Sequence, residues 1–282
     1  MERTAFPVGI DYDKASAELA PGSFAAYLNQ VDGSGRARPR SAWAPGRDMA
    51  IPRSTDRFST AWPDEAWFER SPGILPVTRS DDLEDIGVAG RRWALEPVTA
   101  GSHATVVKHK QWRQAVEAYL ACTSYVDHEI GRLLDALDDS PIADNTVVAL
   151  WSDHGWHLGE KQHWGKWTGW ERSTRVPMVL IPAGSSDTPF AVGSRCGRPT
   201  GLIDLYPTLT ELCGIESPDR LDGVSLVPLM RQPDRDTGRG VVTMFDHGNG
   251  TLRTDRWRYI RYADGSEELY DMDADPNEWT NL

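Results

Sequence analysis

The chain predicts an α/β domain, a sheet flanked by helices, with a small antiparallel unit at its C-terminus. Three observations carry this. A helical apolar stripe over residues 110–137 is followed closely by the β-branched run Thr146-Val147-Val148-Ala149-Leu150-Trp151, and helix followed by buried strand is the α/β signature. A second apolar run, Val176-Pro177-Met178-Val179-Leu180-Ile181, follows a polar loop. After about residue 235 the pattern changes to short strand-like segments punctuated by turn residues.

Taken in order, residues 1–62 are rich in Ala, Arg, Ser, Pro and Gly and read as irregular, with one short helix suggested at Phe24–Leu28. Residues 63–100 carry scattered aromatics, and Ser80–Asp85 reads as the start of a short acidic helix. The long helix rests on Trp112, Val116, Tyr119, Leu120, Thr123, Ile130, Leu133, Leu134 and Leu137, which recur at helical spacing. Asp138-Asp139-Ser140-Pro141 stops it. Farther on, Asp204 is an expected N-cap, Pro207 sits in the first turn and Gly214 ends a short helix. Val241–Phe245, Trp257–Tyr262 and Glu268–Asp271 read as strands, with Asp264-Gly265 as a hairpin turn. The expected organisation is therefore 1–62 unassigned, 63–235 an α/β unit and 236–282 a small antiparallel subdomain.

The 282 residues carry a formal net charge of −12, which argues against nucleic acid as a partner, since that needs clustered positive charge. No apolar run has the length of a membrane span, and no signal peptide opens the chain. The three cysteines, Cys122, Cys196 and Cys213, form no CxxC pair. Cys122 and Cys213 lie in apolar helical contexts and are expected to be buried. Compartment and oligomeric state are not legible.

The richest stretch is Ser152-Asp153-His154-Gly155-Trp156-His157-Leu158-Gly159-Glu160, followed by Trp164-Gly165-Lys166. A strand that ends in an acid and an imidazole delivers both to its C-terminal edge, where open α/β sheets bind ligands. Asp153 and His154 are candidate metal ligands and Lys166 a candidate anion clamp. The bland alternative is a strand that stops at a polar turn. His163 and Trp164 are candidate substrate contacts, with loop packing as the alternative. His157 reads the same way. Lys161 reads as a solvated lysine. Trp151, Trp156, Trp164, Trp167 and Trp170 suggest either a sugar-stacking platform or loop packing. Lys108-His109-Lys110 reads as a solvated helix start, and Glu171 with Arg175 as a structural pair.

These segments, in this order, resemble the type I sulfatases, closest to the iduronate-2-sulfatase-like branch. The resemblance rests on the stretch above and on Thr174-Arg175-Val176-Pro177. Tyr125-Val126-Asp127 with Gly131-Arg132-Leu133-Leu134, Asp204–Leu209, and Glu268–Asp271 with Asp275-Pro276 and Asn281-Leu282 support it. It covers roughly residues 63–282. It implies an alkaline-phosphatase-like sandwich, a mixed and mostly parallel sheet flanked by helices. It implies sulfuric ester hydrolysis, with a sulfated small molecule or glycan as substrate. It also implies a divalent cation, usually Ca²⁺; Mn²⁺ stays open because His154 suits Ca²⁺ less well than an oxygen donor, and Mg²⁺ is a further candidate. The resemblance gives Asp153 and His154 as metal ligands and Lys166 as the catalytic group that contacts the sulfate. Family members are periplasmic, secreted or lysosomal. The family's formylglycine nucleophile comes from a C/S-x-P-x-R motif, which these 282 residues do not contain. The N-terminal metal-binding Asp pair also lacks a counterpart. The expectation is a fragment carrying the C-terminal part of the site, inactive alone, with residues 1–62 foreign or out of register. A phosphatase or phosphodiesterase of the same superfamily and a non-catalytic binding remnant are the rival readings.

Overall fold

A computed structural model describes residues 81–95, 103–185, 189–191, 193–217 and 220–282. The expectations for residues 1–62 lie outside them. Helix α1 spans Val88–Leu95, α2 His103–Lys108 and α3 Trp112–Asp138. The acidic segment expected to start a helix is instead a turn over residues 81–85, one step ahead of α1. Lys110 has φ +54°. Its N–H bonds the Val107 carbonyl and that of Gln111 bonds Val106, a left-handed stop that closes α2 before α3 begins. The basic run at 108–110 therefore ends one helix rather than opening the next.

Strand β1 (Val148–Trp151) pairs antiparallel with β4 (Met178–Ile181). Alternation puts Val148, Leu150, Val179 and Ile181 against Ile130 and Leu134 of α3. Ala149, Met178 and Leu180 face the opposite way. There they meet α5 (Leu205–Leu212) and α6 (Val227–Arg231). A two-faced strand pair between helical layers is the predicted α/β arrangement. Two details differ. All ladders among the described residues are antiparallel, so the expected parallel pairing has no counterpart there. The strand is half-buried, and Trp151 at its end is 47% exposed, because β1 has a single partner strand among the described residues.

The 27 residues of α3 bury only part of the predicted stripe, at Val116, Leu120 and Leu134. Tyr125, Val126 and Leu133 are exposed. Cys122 shares that open side, and Cys213 follows the last turn of α5. Both thiols are exposed, against expectation.

The C-terminal unit is a four-stranded antiparallel meander: β5 (Val241–Asp246), β6 (Asn249–Arg253), β7 (Trp257–Arg261) and β8 (Glu267–Asp271). The Asp264-Gly265 turn falls where expected, with Gly265 at φ +88°. Strand β6 had no apolar alternation to announce it. Ile260, Tyr262, Tyr270 and Met272 pack on Ile86, Ala94 and Trp170, which fastens α1 and the central loop to this sheet. No described helix is long and apolar enough to cross a membrane.

Candidate functional site

The end of β1 brings three of the predicted side chains together. The Asp153 carboxylate lies 3.5 Å from His154 Nε2. Lys166 Nζ lies 2.7 Å from the same nitrogen. His154 Nδ1 is 2.9 Å from the Gly155 carbonyl. That contact assigns the ring proton to Nδ1 and leaves the Nε2 lone pair facing Lys166. The Ser152 hydroxyl donates to the His154 carbonyl at 2.9 Å and steadies the turn. Gly155 is required by space. A Cβ there would stand 2.0 Å from the Arg172 carbonyl oxygen, and its N–H bonds Ser173 at 2.8 Å. The Asp-His-Gly order thus presses the strand end against α4 (Glu171–Thr174).

The loop between His154 and Lys166 is mostly buried. Strands β2 (His157–Leu158) and β3 (Trp164–Gly165) form a tight pair. Gly159 has φ +115° and lies against Trp112, whose indole N–H donates to the Leu158 carbonyl at 2.8 Å. His163 and Trp164, expected near substrate, are buried away from the surface. The His163 ring spans the Ala94 carbonyl at 2.7 Å and the Lys166 carbonyl at 3.0 Å. Burial lowers its pKa against the pull of both carbonyls. His163 thus touches the backbone of Lys166. Trp164 packs against α3 with Val116 and Leu120. His157 is enclosed, with Nε2 2.9 Å from Thr168 Oγ1, and burial lowers its pKa well below the usual value.

Asp153, His154, Lys166 and Trp167 line a cleft of about 970 Å³. Its walls include Val179 from β4, Cys196 and Arg198 from the following loop, and Met244 from β5. Asp204, the expected cap, makes no cap bond to α5. It accepts from the Gly201 and Val224 N–H groups and from both terminal nitrogens of Arg239 at 2.6 and 2.8 Å.

A buried ionic hub, two of whose members, Glu171 and Arg258, line the same cleft, is only partly legible in the sequence. Lys161, expected in solvent, is buried 2.9 Å from Asp82 and also donates to the Glu278 carbonyl. Its ammonium lies 5.0 Å from the Tyr270 ring centroid. Arg258 is shared by Glu171 and Glu278. Burial raises both carboxyls, but Arg258 and Arg253 outweigh it at Glu171 and hold that group at about 2. At Glu278 burial prevails, and its carboxyl is pushed up to about 7. The predicted Glu171–Arg175 pair is present at 3.4 Å. Separation in sequence hid the hub: Lys161 and Asp82 are 79 residues apart.

The donor set fits a divalent cation in part. Asp153 supplies a hard carboxylate oxygen and His154 a ring nitrogen lone pair close to it. No group of three or more His, Cys, Asp or Glu side chains suited to a metal occurs among the described residues. Lys166 holds His154 Nε2 in this structure, so a bound cation would have to displace the ammonium from that nitrogen.

Residues 50–215 match the sulfatase family model, and residues 159–282 match the N-sulphoglucosamine sulphohydrolase C-terminal family. A sulfatase of Formosa agariphila is 38% identical over 220 residues, which cover 77% of this chain and 42% of that protein. A choline-sulfatase of Rhizobium meliloti is 35% identical over 62% of this chain and 34% of its own length. Among solved structures, BT4656 in complex with its substrate D-glucosamine-2-N,6-O-disulfate superposes with a TM-score of 0.54. The match has 27% identity over 61% of this chain and 36% of that one. The chain spans less than half the length of each of these relatives. The architecture is part of the alkaline-phosphatase-like fold that these structures share. By the family match over residues 50–215, the chain belongs to the sulfatase family.

Proposed function

We propose that this chain supplies the cation- and anion-holding side of a sulfuric ester hydrolase acting on a sulfated carbohydrate, in the iduronate-2-sulfatase-like branch. One observation carries the reading: Asp153, His154 and Lys166 converge at a strand end, with Lys166 Nζ 2.7 Å from His154 Nε2. Asp153 and His154 are the proposed metal ligands, and Ca²⁺, Mn²⁺ and Mg²⁺ are the candidate ions. When bound, such a cation would polarise a sulfate oxygen and offset charge that moves onto it during transfer. Lys166 would neutralise a second oxygen. Its stem leaves the buried β3 and its backbone carbonyl touches His163, so the ammonium is aimed from a fixed base. The nucleophile of this reading lies outside these 282 residues, because the C/S-x-P-x-R motif does not occur in them.

The test is an assay of the purified chain, and of a longer form carrying a nucleophile motif, on aryl sulfate and aryl phosphate esters with added Ca²⁺ or Mn²⁺. The longer form should turn over sulfate esters in preference to phosphate esters and lose this with Lys166→Met. The 282-residue chain should not turn over. Preference for phosphate would favour the phosphatase rival, and metal-dependent multiple turnover by the short chain would refute the division of the site.

A further inference from the structure

We infer that the exposed indole of Trp167 is the platform on which the sugar ring of a sulfated pyranose rests, a specificity residue that deepens the reading above and depends on it for the position of the sulfate. Trp167 follows Lys166 directly and lines the same cleft as Asp153 and His154. It is 56% exposed. Its φ is +66°, a left-handed conformation that bulky residues rarely adopt and that persists only where the surroundings impose it.

Both flanks impose it here. On one side, Lys166 is tied by its carbonyl to His163. On the other, Thr168 is buried and its hydroxyl bonds Ser173 at 2.9 Å and lies against His157. Thr168, Gly169 and Trp170 are buried in turn, and the Trp170 indole N–H donates to Glu268. A rigid, strained turn therefore holds a large apolar surface in water. Packing gains nothing from that exposure. An aromatic face offered to a ligand is what such a turn can supply.

The neighbouring charge selects the ligand class. Lys166 Nζ lies over the Trp167 ring, 5.9 Å from its centroid. A quaternary ammonium on the same indole would face that ammonium at close range and be repelled. A neutral pyranose presents C–H groups and carries no such penalty. Its sulfate, drawn to Lys166, would leave the ring to which it is attached beside the indole. The size of the cleft, about 970 Å³, accommodates a sugar with room for a further unit.

The experiment is calorimetric titration of the 282-residue chain with three probes: inorganic sulfate, glucose 6-sulfate and choline sulfate. Glucose 6-sulfate, whose ring is neutral, should bind about tenfold more tightly than inorganic sulfate, the gain expected of one aromatic contact. Trp167→Ala should abolish that gain and leave inorganic sulfate unchanged, while Trp167→Phe keeps most of it. Trp167→Gly should also lose the gain and melt at a higher temperature, since glycine relieves the strain. Equal affinity of wild type and Trp167→Ala for glucose 6-sulfate would overturn the platform. So would a Trp167-dependent preference for choline sulfate. The underlying site is judged separately: Lys166→Met should weaken all three probes. Unchanged inorganic sulfate binding in that variant would refute the anion site, and the platform with it, a failure distinct from an intact anion site without the Trp167-dependent gain.

Discussion

Two charged clusters, which share the lining of one cleft through Glu171 and Arg258 in the first and Asp153, His154 and Lys166 in the second, are built in opposite ways. In the hub, Lys161, Asp82, Arg258, Glu171 and Glu278 are buried and engaged from several directions. At the strand end, Asp153 has an 81% exposed side chain, and His154 and Lys166 are half-open to the cleft. The hub spends its ions on joining segments far apart in sequence. The strand-end cluster leaves a carboxylate and an ammonium with capacity for an incoming partner. Stability should therefore follow the hub and ligand binding the strand end, and each prediction below is a way to break that division.

The largest stability effect is expected at Lys161. Replacement by Ala strands the Asp82 carboxyl, which burial already raises against the pull of Lys161. Breaking a buried pair from one side costs about 3–5 kcal/mol. Urea denaturation should show that loss, and the double variant with Asp82→Ala should recover part of it. A loss below about 1 kcal/mol, the usual ceiling for an exposed pair, would mean that Lys161 is a surface residue after all.

Glu278 gives the next effect, and its sign depends on pH. Its folded carboxyl sits at about 7 against an ordinary value of 4.5, so the folded state binds the proton more tightly. That contribution is fully present below pH 4.5 and is lost as pH rises through about 7. Glu171 runs the other way: held at about 2, it stabilises above 4.5 and loses that as pH falls through about 2. Over pH 4.5–7 Glu278 should account for about 3 kcal/mol of declining stability. Glu278→Gln should flatten the decline in melting curves taken across that window. An unchanged slope would remove Glu278 from the hub.

Gly155→Ala is expected to cost about 1–3 kcal/mol, the range for forcing extra volume into a packed site. It also tests whether the strand end is coupled to α4, because the added methyl meets the Arg172 carbonyl. Thermal melts and the His154 ring shifts should change together. The smallest effect on stability belongs to Lys166→Met, within about 0.5 kcal/mol as at most surface positions, while sulfate affinity falls.

What the sequence reveals follows from the range of each interaction. The β1 and β4 runs, the stripe of α3 and the Asp264-Gly265 turn declare themselves through local periodicity, and the structure contains each with bounds shifted by a few residues. Asp153 and His154 are adjacent, and Lys166 follows twelve residues after His154, so their convergence was legible from one loop. Lys161 reads locally as a solvated lysine because its partners are Asp82 and the Glu278 carbonyl, near opposite ends of the described residues. A histidine beside a candidate site reads as chemistry, yet both nitrogens of His163 face backbone carbonyls. Strand β6 carries Asn, Gly and Thr, and only its pairing with β5 and β7 makes it a strand. The exposed thiols show a limit of helical pattern: periodicity locates a face but does not say how far along the helix it is covered.

The most direct test of the central claim, that Asp153, His154 and Lys166 form one ligand-binding unit, is a titration of histidine-labelled protein with Mn²⁺, watched by NMR. The chain has seven histidines. His154 should broaden first, Asp153→Asn should delay that broadening, and Lys166→Met should advance it by freeing Nε2. Broadening that begins at any other histidine, or a His154 signal indifferent to all three conditions, would contradict the account.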